Sequence, residues 1–238
     1  MSSKKMFFTF DMDWASDFVL DDFFSLITES GIKSTIHVTH NTALLDDFRK
    51  DRNVELGIHP NYNPLLLEGS NKNIRQVLQE IKEIVPEAVT VRSHALTSSS
   101  IIAREYSDIG IKYELNTYIP VKKGNVLYPF RAPIGNHTVI PFIYEDDISL
   151  LSQKNSIDFL LSNEFTAPRV FNFHPIHLFL NTDSIDTYEC ARPYFKSREL
   201  YNCINRKRYG IRDFFVELVK KSKVEGWSSR IISEVKWD

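Results

Sequence analysis

Cysteine is scarce: Cys190 and Cys203 are the only two in 238 residues. With no Cys-x-x-Cys pair, a thiolate zinc site is excluded, and two isolated thiols suit a reducing compartment. A surplus of charge is also missing. The 29 basic residues nearly cancel the 31 acidic ones, which argues against a nucleic-acid binder. No apolar run approaches the roughly 20 residues of a membrane span. The opening, MSSKKMFFTFDMD, starts with charge, but its apolar run breaks at Asp11, short of the about 7–15 residues of a signal-peptide core. These absences point to a cytoplasmic protein with no transmembrane segment. There is no repeat of fixed period, no low-complexity tract and no linker that forces a boundary. With 42% hydrophobic residues, residues 1–238 are expected to form a single domain.

What is present is an alternation of short β-rich runs and amphipathic helices. The run Met6–Phe10 reads as a strand, and the stretch from Ser16 to a stop at Gly31 reads as a helix. KSTIHVT, VELGIH, AVTVRSH, IKYELNT and RVFNFHPIH read as further strands. Asn41–Lys50, NIRQVLQEIKEIV, TSSSIIAREYSDIG and IRDFFVELVKKSK read as helices. Residues 120–147, rich in Pro and Gly, read as short strands and loops over a mouth. Such an alternation predicts an α/β fold, a parallel sheet covered by helices, with functional groups at the carboxyl ends of the strands.

Polar groups do recur at those ends. In FFTFDMDWASD, residues two apart share a strand face, so Phe8, Phe10 and Met12 oppose Thr9, Asp11 and Asp13. Two neighbouring carboxylates repel unless a positive group lies between or beside them. A helix N-cap role explains one aspartate but not both, whereas a divalent metal explains the pair. His59 and Asn63 lie in GIHPNYNP, where turn formation is the ordinary role. In VRSH, Arg92 could hold a carboxylate and His94 shares its face; a surface arginine and histidine are the plain alternative. In FNFHPIHLFLNT, His174 and His177 follow an apolar strand, and YEDD (residues 144–147) offers carboxylate partners for a general acid.

In their order, these motifs resemble the polysaccharide deacetylases of carbohydrate esterase family four, the NodB-homology fold, over roughly residues 6–178. TFDMDW is similar to the first motif, GIHPNYN to the second, VRSH to the third, YEDD to the fourth and FNFH to the fifth. FNFHPIHLFLNT with YEDDISL further resembles the WbmS-like branch, associated with O-antigen and capsule gene clusters. The resemblance implies an irregular (β/α) barrel of about seven strands and a metal-dependent hydrolase that removes an acetyl group from an N-acetylated sugar in surface polysaccharide (lipopolysaccharide) biosynthesis.

Carried over residue by residue, the resemblance makes Asp11 the general base, with Arg92 holding it, and Asp13 and His59 metal ligands. His174 becomes the acid, with Asp146 or Asp147 orienting it. Two departures stand out. The aspartates are separated by one residue instead of adjacent, and Asn63 occupies the place of the second histidine. An amide oxygen is a weaker zinc ligand than imidazole, so either Asn63 or His94 is the third ligand. The implied cofactor is a divalent metal, zinc first, with cobalt, nickel or manganese as alternatives. The implied substrate is an acetamido sugar or nascent glycan, with Trp14, Tyr62 and His177 as substrate contacts; Tyr144 could also stack on a sugar ring. Two rival readings are hydrolysis of another C–N bond in a non-carbohydrate substrate, and a non-catalytic sugar-binding relic suggested by Asn63.

Overall fold

The computed structural model describes residues 4–67, 69–152 and 155–237. Its strands are β1 (Lys5–Asp11), β2 (Ser34–Val38), β3 (Val54–Ile58), β4 (Thr90–Val91), β5 (Tyr113–Glu114), β6 (Phe130–Arg131), β7 (Thr138–Val139), β8 (Tyr144–Glu145), β9 (Arg169–Phe173) and β10 (Ser228–Ser229). Its α-helices are α1 (Asp17–Ser30), α2 (Leu45–Lys50), α3 (Asn63–Leu67), α4 (Ile74–Ile84), α5 (Ser100–Asp108), α6 (Asp146–Leu151), α7 (Ile157–Leu161), α8 (Pro175–Leu180), α9 (Ile185–Ala191) and α10 (Ile211–Val224).

The strands form one sheet in the order β6-β7-β5-β4-β3-β2-β1-β9-β8, with β10 pairing beside β1. All the pairs are parallel except β6–β7. The run Thr138–Glu145 pairs with β5 where it starts and with β9 where it ends. Between those points the Phe142 N–H donates to the Thr117 carbonyl at 3.0 Å and the Ile143 N–H to Val170 at 3.1 Å. One run therefore spans both edges of the curled sheet. Seven positions (β1 to β5, this run and β9) surround the interior, the irregular barrel expected from the motif order. The latter part of residues 120–147 is thus barrel wall, not mouth loop.

Local signals explain the longer elements. Ser16 precedes α1 in extended conformation and Gly31 ends it at φ 57°, a left-handed turn that glycine adopts without a Cβ clash. The Asn73 side chain accepts from the Gln76 N–H while Gln76 returns the bond, a capping box that starts α4. Strands β4 and β5 are only two residues long where longer strands were expected, although single backbone bonds extend the ladder past them, Arg92 N–H to the Ile58 carbonyl and Leu115 N–H to the Val91 carbonyl.

The barrel has two unlike sides. Outward, Phe8 and Phe10 of β1 meet Phe23, Phe173 and Phe215, with the Phe10 and Phe23 rings 4.7 Å apart. Each such burial stabilises by roughly 1.5–3 kcal/mol. Inward, Phe7 joins Leu115, Ile140, Phe142, Val170 and Ile232 in an apolar plug. Further along the same face of β1 come Thr9 and Asp11, both buried. Gly57 makes room there: a Cβ on it would lie 2.2 Å from Thr90 Oγ1 and 2.7 Å from the His37 ring.

Candidate active site

Asp11 ends β1 inside the barrel, 1% exposed. The Arg92 Nη1 donates to its Oδ1 at 3.2 Å, His37 Nδ1 at 3.1 Å, and Asn172 Nδ2 donates to its Oδ2 at 2.8 Å. Burial alone would raise the pKa of this carboxyl, but the charge of Arg92 and the neighbouring imidazoles outweigh it and hold Asp11 well below the usual range. Burial pushes His37 down to about 4, so at neutral pH it is an uncharged donor to Asp11. Arg92, fully buried, also donates from Nη1 to Thr9 and Asn172 and from Nε to the Leu115 carbonyl, and sits 4.4 Å from the Phe142 ring. His37 and Asn172 had no assigned role in the sequence; their strand-interior positions in β2 and β9 are the only signal for them.

Asp13 leaves the strand through left-handed backbone, φ 42°, followed by Trp14 at φ 53°. Ala95 and Leu96 after His94 are also left-handed, both at φ 53°. Such conformations cost of order 1–3 kcal/mol each and persist where surroundings impose them. They bring Asp13, His59 and His94 together: His59 Nε2 and His94 Nδ1 lie 3.1 and 3.2 Å from Asp13 Oδ1. One ligand atom from each lies within 4.8 Å of the others. His59 is 3% exposed, with Nδ1 3.5 Å from Asp11 Oδ1 and Nε2 3.1 Å from Asp13 Oδ1, yet neither ring nitrogen makes a well-formed hydrogen bond. A buried imidazole with both nitrogens orphaned needs another partner.

A divalent ion fits. Zinc at about 2.0–2.2 Å from tetrahedral oxygen and nitrogen ligands would separate those ligands by roughly 3.3 Å, close to the spacing here. Two imidazoles and one carboxylate suit zinc, cobalt or nickel. Asn63 opens α3, where its N–H donates to Asn61 Oδ1 at 3.0 Å; none of the hydrogen bonds of Asp13 or His59 reaches it. His94, and not Asn63, joins Asp13 and His59 in the cluster of potential ligand atoms.

Opposite lies His174, just after β9. Its Nδ1 pairs with Asp146 Oδ1 at 2.6 Å and its backbone N–H donates to Asp146 Oδ2 at 2.7 Å. Its Nε2 faces Asp11, Asp13 and Asp147 oxygens at 3.9, 3.7 and 3.9 Å. Burial would depress this histidine, but the carboxylates of Asp146, Asp147 and Asp13 overcome it and raise its pKa well above the usual value. The group that orients His174 is therefore Asp146, not Asp147. Asp147 instead pairs with His177 Nε2 at 2.5 Å, and His177 Nδ1 meets Thr182 Oγ1 at 3.0 Å.

Two expected substrate contacts are buried, His177 while clustered with Asp146, Asp147 and His174. Tyr62, 1% exposed, is a core ring, and His177, 1% exposed, sits within α8 and not at a strand end. Tyr144 also packs in the core, stacked 4.8 Å from Phe214. Trp14 remains at the rim, edge-on to His94 at 5.1 Å. Glu145, part of YEDD but given no role of its own, points inward opposite Asn172 and joins Asp11 and His174 in one cluster. Its Oε2 has no partner and burial pushes it up to about 7.

The family model for the WbmS-like polysaccharide deacetylases matches residues 8–192, which include every side chain of this centre. The chain belongs to that family. A Bordetella bronchiseptica protein described as a candidate polysaccharide deacetylase involved in O-antigen biosynthesis (WbmS) is 34% identical. That match covers 91% of this chain and 90% of that one, with a TM-score of 0.84. Peptidoglycan deacetylase PdaC from Bacillus subtilis (14% identity, 98% and 90% covered, TM-score 0.53) shares the fold. So does the Xyl-CE4 domain of a xylanase from the hindgut metagenome of Trinervitermes trinervoides (12%, 98% and 89%, TM-score 0.52). No curated protein matches the chain. No helix among the described residues is long and apolar enough to cross a membrane.

Proposed function

We propose that this WbmS-like deacetylase is a metal-dependent hydrolase that removes the acetyl group from an acetamido sugar during O-antigen or capsule assembly. The Bordetella relative's association with O-antigen biosynthesis supports the pathway class. The observation that carries the chemistry is the orphaned, buried His59 beside Asp13 and His94. A divalent ion held there, zinc by its donor set, would polarise the amide carbonyl and lower the pKa of water.

The chain's own residues do the rest. Asp11, fixed by Arg92, His37 and Asn172, takes a proton from the attacking water. His174, kept protonated by Asp146, delivers a proton to the departing amine from Nε2. Asp147 is pinned by His177 at the edge of the same space, with half of its side chain exposed to an incoming sugar. Trp14 borders the metal corner.

The test is acetate release from a panel of acetamido sugars, with cyclic amides alongside. Asp11→Asn is expected to lower turnover about 10²- to 10⁴-fold while metal content stays at wild-type level. Near-normal turnover of Asp11→Asn would refute the base assignment. Turnover of the cyclic amides alone would replace the sugar reading with the non-carbohydrate one.

A further inference from the structure

Beside His59 a cavity of about 280 Å³ opens that neither Asp11 nor His174 reaches. This is several times the roughly 30 Å³ share of one water, and far more than the methyl of an acetyl group fills. Its wall is aliphatic: Pro60, Leu65, Val77, Ile81 and Ile84, with Trp14 on the side of the metal corner. Most polar groups at its edge are already engaged. Lys72 Nζ lies 2.7 Å from Glu80 Oε2, Thr39 Oγ1 accepts the Trp14 N–H at 3.0 Å, and Asn61 Oδ1 accepts the Asn63 N–H at 3.0 Å. A sugar ring needs several free donors and acceptors, and a phosphate needs an unpaired cation; among the described residues the free polar groups here are few, chiefly the Asn61 amide nitrogen and the Ser70 hydroxyl proton. The cavity offers apolar wall, and the helix that supplies Leu65 presents Leu66 and Leu67 to solvent, 65% and 79% exposed.

We propose that this cavity is a subsite for an aliphatic acyl chain, so that the centre cleaves, besides acetamides, amides whose N-acyl group is longer than acetyl. The proposal rests on hydrolysis at the Asp13–His59–His94 corner, because His59 forms part of the cavity lining and the chain would begin at the acyl carbon. The reaction consumes one water. Its oxygen bonds to the acyl carbon, the carbon–nitrogen bond breaks, and both water protons end on the nitrogen, leaving a carboxylate and an ammonium. The chain therefore stays in the cavity as a fatty carboxylate, which makes such acids usable probes.

Zinc-loaded protein is titrated calorimetrically with acetate, butanoate and hexanoate, with metal content measured on the same samples. Affinity is expected to rise about fourfold per added methylene, the fold-change equivalent of about 0.8 kcal/mol. In Val77→Phe, which fills the cavity from α4, the three acids are expected to bind within about twofold of one another. A flat series with acetate bound overturns the chain subsite and leaves the hydrolase reading standing. Protein that takes up no metal and binds none of the acids overturns both. A gain with chain length that survives Val77→Phe places the chain elsewhere and overturns the assignment. Geranyl phosphate, with its apolar bulk behind a phosphate, is expected to bind more weakly than hexanoate; tighter binding would assign the cavity to an isoprenoid carrier and overturn the acyl reading.

Discussion

Strand β1 carries different chemistry on its two sides. Outward, Phe8 and Phe10 pack into an aromatic layer with Phe23, Phe173 and Phe215 under the helices. Inward, Thr9 and Asp11 enter a buried polar lattice with Arg92, Asn172 and His37. The outer side is non-directional: it fixes which strands and helices come together, and a ring of similar volume could replace another. The inner side is directional and charged, and removing one partner leaves another buried and unanswered. The fold is therefore held mainly by one side of the strand and the chemistry by the other.

Three substitutions probe that division. Phe173→Ala leaves a cavity in the outer layer and is expected to cost about 4 kcal/mol, with little change between pH 5 and 8 in denaturant melts. A pH-dependent loss would mean that the aromatic layer and the polar interior are not separable. Arg92→Met should cost about 3 kcal/mol in the wild-type background, because it strands the buried Asp11 carboxylate. In Asp11→Asn the same change should cost about 1 kcal/mol, and equal costs in both backgrounds would deny the pairing.

Glu145→Gln sharpens the comparison through its sign. The folded-state pKa of Glu145 is raised by burial from 4.5 to about 7. Its contribution to stability is complete below about pH 4.5 and is lost as pH climbs through 7. With the metal chelated, Glu145→Gln should match wild type at pH 4.5 and gain at most about 3 kcal/mol at pH 8. A variant less stable than wild type at pH 8 would show that the ionised carboxylate has a partner.

Much of the outer side was readable from sequence, because it depends on spacing and local caps. The alternation of Phe8 and Phe10 against Thr9 and Asp11 and the Gly31 stop are local signals. The inner side was readable only where a motif marked it, as at Asp11, His59, Arg92 and His174. Asn172 and Glu145 lie inside FNFH and YEDD and His37 inside KSTIHVT, but none had a role of its own, since their roles arise from register between strands distant in sequence. The approach of His94, rather than Asn63, to Asp13 and His59 was equally hidden: it goes with left-handed backbone at Asp13 and just after His94 that no periodicity reports. Tyr62 looked like a sugar platform because it neighbours His59, but the burial of its ring is a tertiary fact.

The most direct test of the central claim is metal stoichiometry, by elemental analysis and calorimetric titration, of wild type, His59→Ala, His94→Ala and Asn63→Ala. The expected result is one tightly bound divalent ion in wild type and Asn63→Ala, none in His59→Ala, and binding weakened at least about tenfold in His94→Ala. Wild-type protein without stoichiometric metal, or metal lost in Asn63→Ala and kept in His94→Ala, would contradict the account.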